Sequence, residues 1–314
     1  MKNAVMCLLL VIMGLSFSEE SVAVFTSISG EVRLLRAQDS IAYPAVMLDD
    51  LFTGDSVSIS IGEATLLYRT GKIITIKDSS AILITEESDS VRGMSGDADL
   101  SEDVRFSLSP LFEVGKGTEK VVPKFVLRAP EDSLMIPLTI YIPGNTSLTT
   151  ARPDVIWSLY PQANWYAVIF QTRGDIVINN ATTDTVMEYI EQNEDLKPGT
   201  YLVRVHAFHN KDTLQSQQCF VRIIDSSEVE TVKGKITVLD KIQADDYTKN
   251  LLKALVYEDH SLLIRAAEYY GAMSSIRPDD PYTYKALADI YGKLGLPEQA
   301  NDYVDKYELL TTDE

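Results

Sequence analysis

Leu196-Lys197-Pro198-Gly199-Thr200-Tyr201-Leu202-Val203-Arg204-Val205-His206-Ala207-Phe208 is a turn followed by an alternating run. On a strand the side chains change face at every residue, so Tyr201, Val203, Val205 and Ala207 share one side, with His206 on the other and His209 at the strand end. The same alternation occurs on both sides of this stretch. Before it come Leu138–Ile142, Val155–Leu159 and Trp165–Phe170, and after it Cys219–Ile224, with Pro, Gly and Asn between the runs. Strands of about six residues at this spacing predict a β-sandwich over residues 123–226.

With Trp157 ending an early strand, Tyr166 opening the next and Leu196–Tyr201 leading into the strand above, this region resembles a fibronectin type III or immunoglobulin-like module. The Leu-to-Tyr interval is one residue shorter than in the fibronectin pattern. His206 and His209 stand an odd number apart, so on a strand they point to opposite faces and do not form a metal pair.

Upstream, residues 19–85 carry short apolar runs: Val22–Phe25, Glu31–Leu35, Val57–Ile61, Thr65–Tyr68 and Lys72–Ile76. Ser29-Gly30, Thr53-Gly54-Asp55 and Thr70-Gly71-Lys72 punctuate them, predicting an all-β meander of short antiparallel strands. Gly54 suits a turn with positive φ, and Asp55 is expected to accept hydrogen bonds from backbone N–H groups there. The order of Ser29–Val32, Leu51–Val57, Glu63–Tyr68, Gly71–Ile76 and Ser80–Ile84 resembles the FecR-type domain. Asp49-Asp50 replaces the glycine usual before the Gly-Asp turn, and Thr70-Gly71 replaces the usual Asp-Gly. The resemblance implies a periplasmic domain engaged in envelope signalling; transmembrane sigma regulation is not carried over.

Residues 86–122 turn polar and acidic and read as a linker. Asp97, Asp99 and Ser101 have calcium-loop spacing, but position 108 is Leu where the loop needs its closing Glu.

After a second linker at 227–244 the period becomes helical. Ala254, Tyr257, Ala266, Tyr270 and Pro278 are followed 34 residues later by Ala288, Tyr291, Ala300, Val304 and Thr312, so four of the five columns keep the residue or stay apolar. That is the interval of the tetratricopeptide repeat, which residues 245–314 resemble as two copies, with helices expected near 247–257, 261–276, 281–294 and 297–310. Pro281 and Pro297 fit first helical turns, where a missing N–H costs nothing. The resemblance implies a candidate partner groove lined by Leu251, Leu255, Tyr282, Lys285, Asp289 and Lys293. Two repeats are few for an independent solenoid, so docking on the sandwich or dimerisation is expected.

Composition sets the frame for function. With 28 Lys and Arg against 46 Asp and Glu the net charge is −18, the wrong sign for nucleic acid. The cationic Met1-Lys2-Asn3, the apolar Ala4–Leu15 and the small residues of Ser16-Phe17-Ser18 read as a removed signal peptide over 1–18. No later apolar run is long enough to span a membrane. Removal of Lys2 leaves 27 basic against 46 acidic residues, a charge of −19, and Cys219 without a disulfide partner. Asn145-Thr146-Ser147 and Asn180-Ala181-Thr182 fit glycosylation acceptors. No catalytic, metal or cofactor constellation emerges.

The sequence therefore reads as a multidomain chain: a FecR-like all-β domain, a β-sandwich and α-helical tetratricopeptide-like hairpins. The expected function is that of an exported, periplasmic or secreted, non-enzymatic adaptor of the cell envelope. Its tail would recruit a protein, while its β-domains would meet a second envelope component, a glycan or another protein, with a homodimer as a further partner. The rivals are a carboxylate-based envelope hydrolase and a structural spacer.

Overall fold

The computed structural model describes residues 20–77, 79–86, 95–108, 112, 138–188, 194–210 and 212–312. The expected signal peptide and much of both the 86–122 segment and the start of the sandwich region lie outside them. The chain forms two compact units, one ending at Ser95 with residues 111–115 added, the other made of 96–110 and 116–314.

The first unit is an antiparallel sheet built on two 13-residue strands, β1 (Ala23–Leu35) and β4 (Ser56–Tyr68). They pair along their whole length, from Ala23 opposite Tyr68 to Leu35 opposite Ser56. β2 (Tyr43–Pro44) and β3 (Asp50–Leu51) flank β1, while β5 (Lys72–Lys77) and β6 (Ser80–Leu83) share the other side of β4. Val22–Phe25 with Glu31–Leu35, and Val57–Ile61 with Thr65–Tyr68, read from sequence as separate short strands, are thus the halves of continuous ones, while Lys72–Ile76 is a strand of its own and Ser29-Gly30 is not a turn. Gly30 pairs with Gly62 in mid-strand, both at positive φ (86° and 109°). A Cβ on Gly62 would stand 1.9 Å from the Ser29 carbonyl oxygen, so only glycine admits this crossing. Beside it the register shifts between Glu31 and Val32, and such a bulge bends the strand. The core holds Phe25, Leu34, Leu51, Val57, Leu66, Tyr68, Ile74 and Ile84.

Thr53-Gly54 and Thr70-Gly71 do turn, as expected. Asp55 is 2% exposed and accepts from Phe52 N–H (3.0 Å), Ala37 N–H (3.0 Å) and Arg36 Nη1 (2.7 Å). The Arg36 guanidinium also lies over the Tyr43 and Phe52 rings. Asp55 is therefore an anchor of the fold.

Burial holds the Asp49 and Asp50 carboxyls above the usual carboxylate range. A folded value raised above the unfolded one means that the folded unit binds the extra proton. Its stabilisation is complete below about pH 3.8 and is lost as pH rises through the folded value. Asp50→Asn removes the buried charge and keeps an oxygen to accept from Ser21. The expected result is a higher melting midpoint at pH 7 and little change at pH 3.5, read by thermal unfolding of the full chain; a lower midpoint at pH 7 would contradict it.

β7 (Ser95–Asp99) spans the boundary of the two units, and in the second unit α1 (Glu102–Leu108) precedes the sandwich. One sandwich sheet runs β13 (Val186–Met187), β10 (Val155–Trp157), β8 (Ile140–Ile142). The other runs β12 (Asp175–Thr182), β11 (Trp165–Thr172), β14 (Gly199–His209), β16 (Cys219–Ile223), β9 (Thr146–Leu148), with β15 (Asp212–Gln215) also on β14. The chain crosses between sheets after β8, and β9 joins β16 in parallel. Both sheets feed one core in which Trp157 meets the edge of Tyr166 at 5.4 Å. This is a fibronectin/immunoglobulin-like β-sandwich, and Tyr201 Oη donates to the Lys197 carbonyl (2.8 Å), closing the corner before β14. Burial pushes the Cys219 thiol up to about 12, so it packs as a small apolar group.

The tail contains α3 (Asp246–Asp259), α4 (Leu263–Ile276), α5 (Pro281–Leu294) and α6 (Pro297–Thr311), close to the expected ranges. Asp245 and Asp280 cap α3 and α5 with matching bonds to Thr248 and Thr283. The repeat is also geometric: Tyr257 stacks on Tyr269 at 5.4 Å, and Tyr291 on Tyr303 at 5.3 Å.

Two stretches read as linkers contain helices. Residues 227–244 fall largely in α2 (Ser226–Lys241), and 86–122 includes α1. Asp225 caps α2 by accepting from Glu228 N–H (2.9 Å), and Val232 and Leu239 are buried. Val104 and Leu108 of α1 are buried, and the helix packs on α3.

Candidate functional site

The helices are fixed to the sandwich through the short segment from Gly144 to Ser147. Ser147 N–H donates to the Ser261 carbonyl (2.8 Å), as does Thr146 Oγ1 (3.1 Å), which in turn accepts from Leu263 N–H (2.9 Å). Ser261 lies in the turn between α3 and α4. One repeat later, Asn145 N–H donates to the Leu294 carbonyl at the end of α5 (3.1 Å). Gly144 is needed there, since a Cβ would come 2.9 Å from that same oxygen. Asn145 Oδ1 accepts from Phe220 N–H (2.9 Å), so this glycosylation acceptor is already committed to the joint.

A polar cluster reinforces the attachment. Arg222 of β16 binds Glu228 of α2 in bidentate fashion (3.0 and 2.7 Å) and donates to Ser147 Oγ (3.0 Å). The Arg222 guanidinium holds the Glu228 carboxyl below the usual carboxylate range. Lys235 Nζ reaches Ser107 Oγ (2.6 Å) and His260 Nε2 (3.1 Å), and Ser107 Oγ donates to Asp259 Oδ2 (2.8 Å). Ser, His, Asp and Lys thus converge, which the sequence did not foretell. Ser107, however, is 1% exposed and its hydroxyl proton is directed to Asp259, an arrangement that latches α1 to the helices and does not activate a nucleophile.

The six expected groove residues lie on α3 and α5 but differ in access. Leu251 is fully buried and cannot line an open surface. The reason is that α3 carries α1 and α2 as well as α4, so its apolar columns are enclosed on more sides than two hairpins alone would provide. Leu255, Tyr282, Lys285 and Asp289 are half-buried, and Lys293 is exposed. Lys293 Nζ pairs with Glu258 Oε1 (2.5 Å), and Tyr270 Oη donates to Glu258 Oε2 (3.2 Å). Tyr270 meets the edge of Tyr282, and burial raises both phenols above their ordinary value. The result is a face of mixed charge along α3 and α5.

Elsewhere, His206 lies on the outer side of the large sheet, where burial and then Arg204 lower its pKa. Next to the β11–β12 turn, a cleft of about 880 Å³ is lined by Thr172, Arg173, Glu194, Asp195, Lys197 and Tyr201 among others. Asp195 there is paired with Arg152 (2.6 Å). Among the described residues no group of three or more His, Cys, Asp or Glu could hold a metal ion, and no helix is long and apolar enough to cross a membrane.

No family model matches the chain, and no curated protein does. Among solved structures, the crystal structure of FN3tt aligns over 98% of its own length and 29% of this chain, at 10% identity and a TM-score of 0.23. The FN1–FN3 domains of chicken CNTN1 align over 66% of this chain at 14% identity and a TM-score of 0.21. The alignment spans 64% of that structure's length.

Proposed function

We propose that this chain is an exported, non-enzymatic adaptor of the cell envelope, periplasmic or secreted. Its N-terminal sheet is of FecR type, its sandwich of fibronectin type III kind, and its tail a pair of tetratricopeptide-like repeats that recruits a protein partner. The β-domains meet a second envelope component.

The observation that supports this most is the joint. Backbone hydrogen bonds hold both helical hairpins against the sandwich, so the α3–α5 face is presented in a fixed orientation. Binding to a preorganised face avoids the ordering cost that a flexible tail would incur.

The test is capture from envelope extract by the full mature chain beside the double variant Lys285→Glu, Asp289→Lys. Both side chains are half-exposed, so the fold should survive the change. The expected outcome is a captured protein whose recovery falls by about tenfold or more, the loss of a moderate hot spot. Equal recovery by both chains would remove the tail from recognition.

A further inference from the structure

The residues of β11 and β14 that alternate with the core set Trp165 opposite Phe208 on the outward face of the large sheet, with His206, Arg204 and Gln171 further along it. β12 adds Asn179 and β15 adds Gln215. None of the outward positions on these four strands is Asp or Glu, in a chain that has 46 of them. Asp175 and Asp212 stand at strand ends, opposite Thr172 and His209 of the other alternation.

This face is level and preset. Ala167 and Ile169 point outward yet are 6% and 9% exposed, so the longer side chains around them close over them. Trp165 stacks on Phe208 at 3.8 Å and is still 39% exposed, which leaves its second ring face open. Gln171 is held at both ends of its amide, Oε1 accepting from Arg204 Nη2 and Nε2 donating to the Gly174 carbonyl (2.9 Å). Two nitrogens are unspent. Arg204 Nε and His206 Nε2 are buried without a hydrogen-bond partner among the described residues, whereas buried polar atoms are as a rule paired.

We propose that this face is a saccharide-binding platform, on which a sugar ring lies against Trp165 and its hydroxyls meet His206 and the Arg204–Gln171 pair. It rests on the reading that the β-domains meet a second envelope component, and it names that component's chemistry. The face itself selects the occupant. Its N–H and C=O groups are spent in the ladders, so a polypeptide finds neither a strand edge nor a hollow for an anchor residue. The unspent nitrogens call for hydroxyls, which accept from Arg204 Nε–H and either donate to or accept from His206 Nε2. A sugar ring also presents a C–H face that matches the open indole. With Arg204 as the one formal charge on these outward positions, the sugar is neutral or acidic. Nucleic acid would stack on the rings as well, but a net charge of −18 repels it.

The chain has two tryptophans, and Trp157 is buried, so fluorescence of the full mature chain reports on Trp165. Linear β-linked oligosaccharides of glucose and of N-acetylglucosamine, and an oligomer of galacturonic acid, serve as probes, with calorimetry alongside. Expected is saturable binding of at least one of them, with a Kd between about 10 µM and 1 mM. Trp165→Ala should weaken it by about tenfold, and Gln171→Ala, the second variant should the first fail to fold, by about fivefold. Lys285→Glu with Asp289→Lys should leave sugar affinity unchanged; equal protein capture by that variant would sink the recruitment reading alone. No saturable binding of any probe overturns the platform, as does binding that both Trp165→Ala and Gln171→Ala leave intact. An envelope protein that Trp165→Ala fails to capture, with no sugar bound by the unaltered chain, would give the face to a protein and overturn it too.

Discussion

Gly62→Ala is expected to unfold the N-terminal unit while leaving the other unit intact. Two costs combine. A φ of 109° is outside what an L side chain adopts without strain, worth about 1–3 kcal/mol. The new methyl would then sit 1.9 Å from the Ser29 carbonyl oxygen, a backbone atom held by the β1–β4 ladder on both sides. Separating the strands to relieve the clash would open the pairing on which Phe25, Leu34 and Leu66 are packed, and a further few kcal/mol is at stake in a unit of ordinary marginal stability. Gly174→Ala is the control. Its φ of 96° is similarly unfavourable, but a methyl there meets nothing within 4 Å, so the cost should stay near 1 kcal/mol. Thermal unfolding of the full chain should lose its first-unit transition in Gly62→Ala and keep it in Gly174→Ala. Equal effects would show that the close crossing of β1 and β4 is not what requires glycine.

Trp157→Ala carries the second large effect. The side chain is 2% exposed, at the centre of a core fed by both sheets. Truncating such a residue costs about 3–5 kcal/mol, to which loss of the edge contact with Tyr166 adds up to roughly 1 kcal/mol. The more informative part is where the loss appears. Because the sandwich and helices share one compact unit, the helical circular dichroism signal should melt together with near-UV aromatic signals, at a lowered midpoint. Helices that melt at the wild-type temperature in this variant would mean that the joint through Gly144–Ser147 does not couple the two parts.

Much of this architecture was legible because period is a local property. Alternation located β11, β14 and β16, and the 34-residue recurrence located α3 to α6 within about two residues. Where the reading failed, the missing information was either small or distant. Gly30 looks the same in sequence whether it ends a strand or bends one, and only its partner Gly62 distinguishes the cases. Helix α2 had a usable signal in the Asp225-Ser226-Ser227-Glu228 cap followed by Val229, Val232, Ile236 and Leu239 at helical spacing. Its polar surface made it resemble a linker. Helix α1 is seven residues long and is held by α3 across a large sequence interval, so local pattern could not reveal it. The candidate site suffered from the same omission: Leu251 fits a groove column as long as α1 and α2 are taken for linkers. The cluster of Ser107, Arg222, Glu228, Lys235, Asp259 and His260 draws on four elements, and no spacing rule connects them.

The bonds from Asn145 and Ser147 reach neighbouring points in the two repeats, the last residue of α5 and the turn that follows α3. Attachment at these two rungs orders the array, with both near hairpins fixed and the far end, beyond α6, outside the joint. Lineages could therefore lengthen the tail by duplicating the last hairpin without disturbing its mounting. An insertion between the two anchored turns, by contrast, would shift one of them out of reach. Growth of such an array is directional, and the place to look for variation in repeat number among descendants is its distal end.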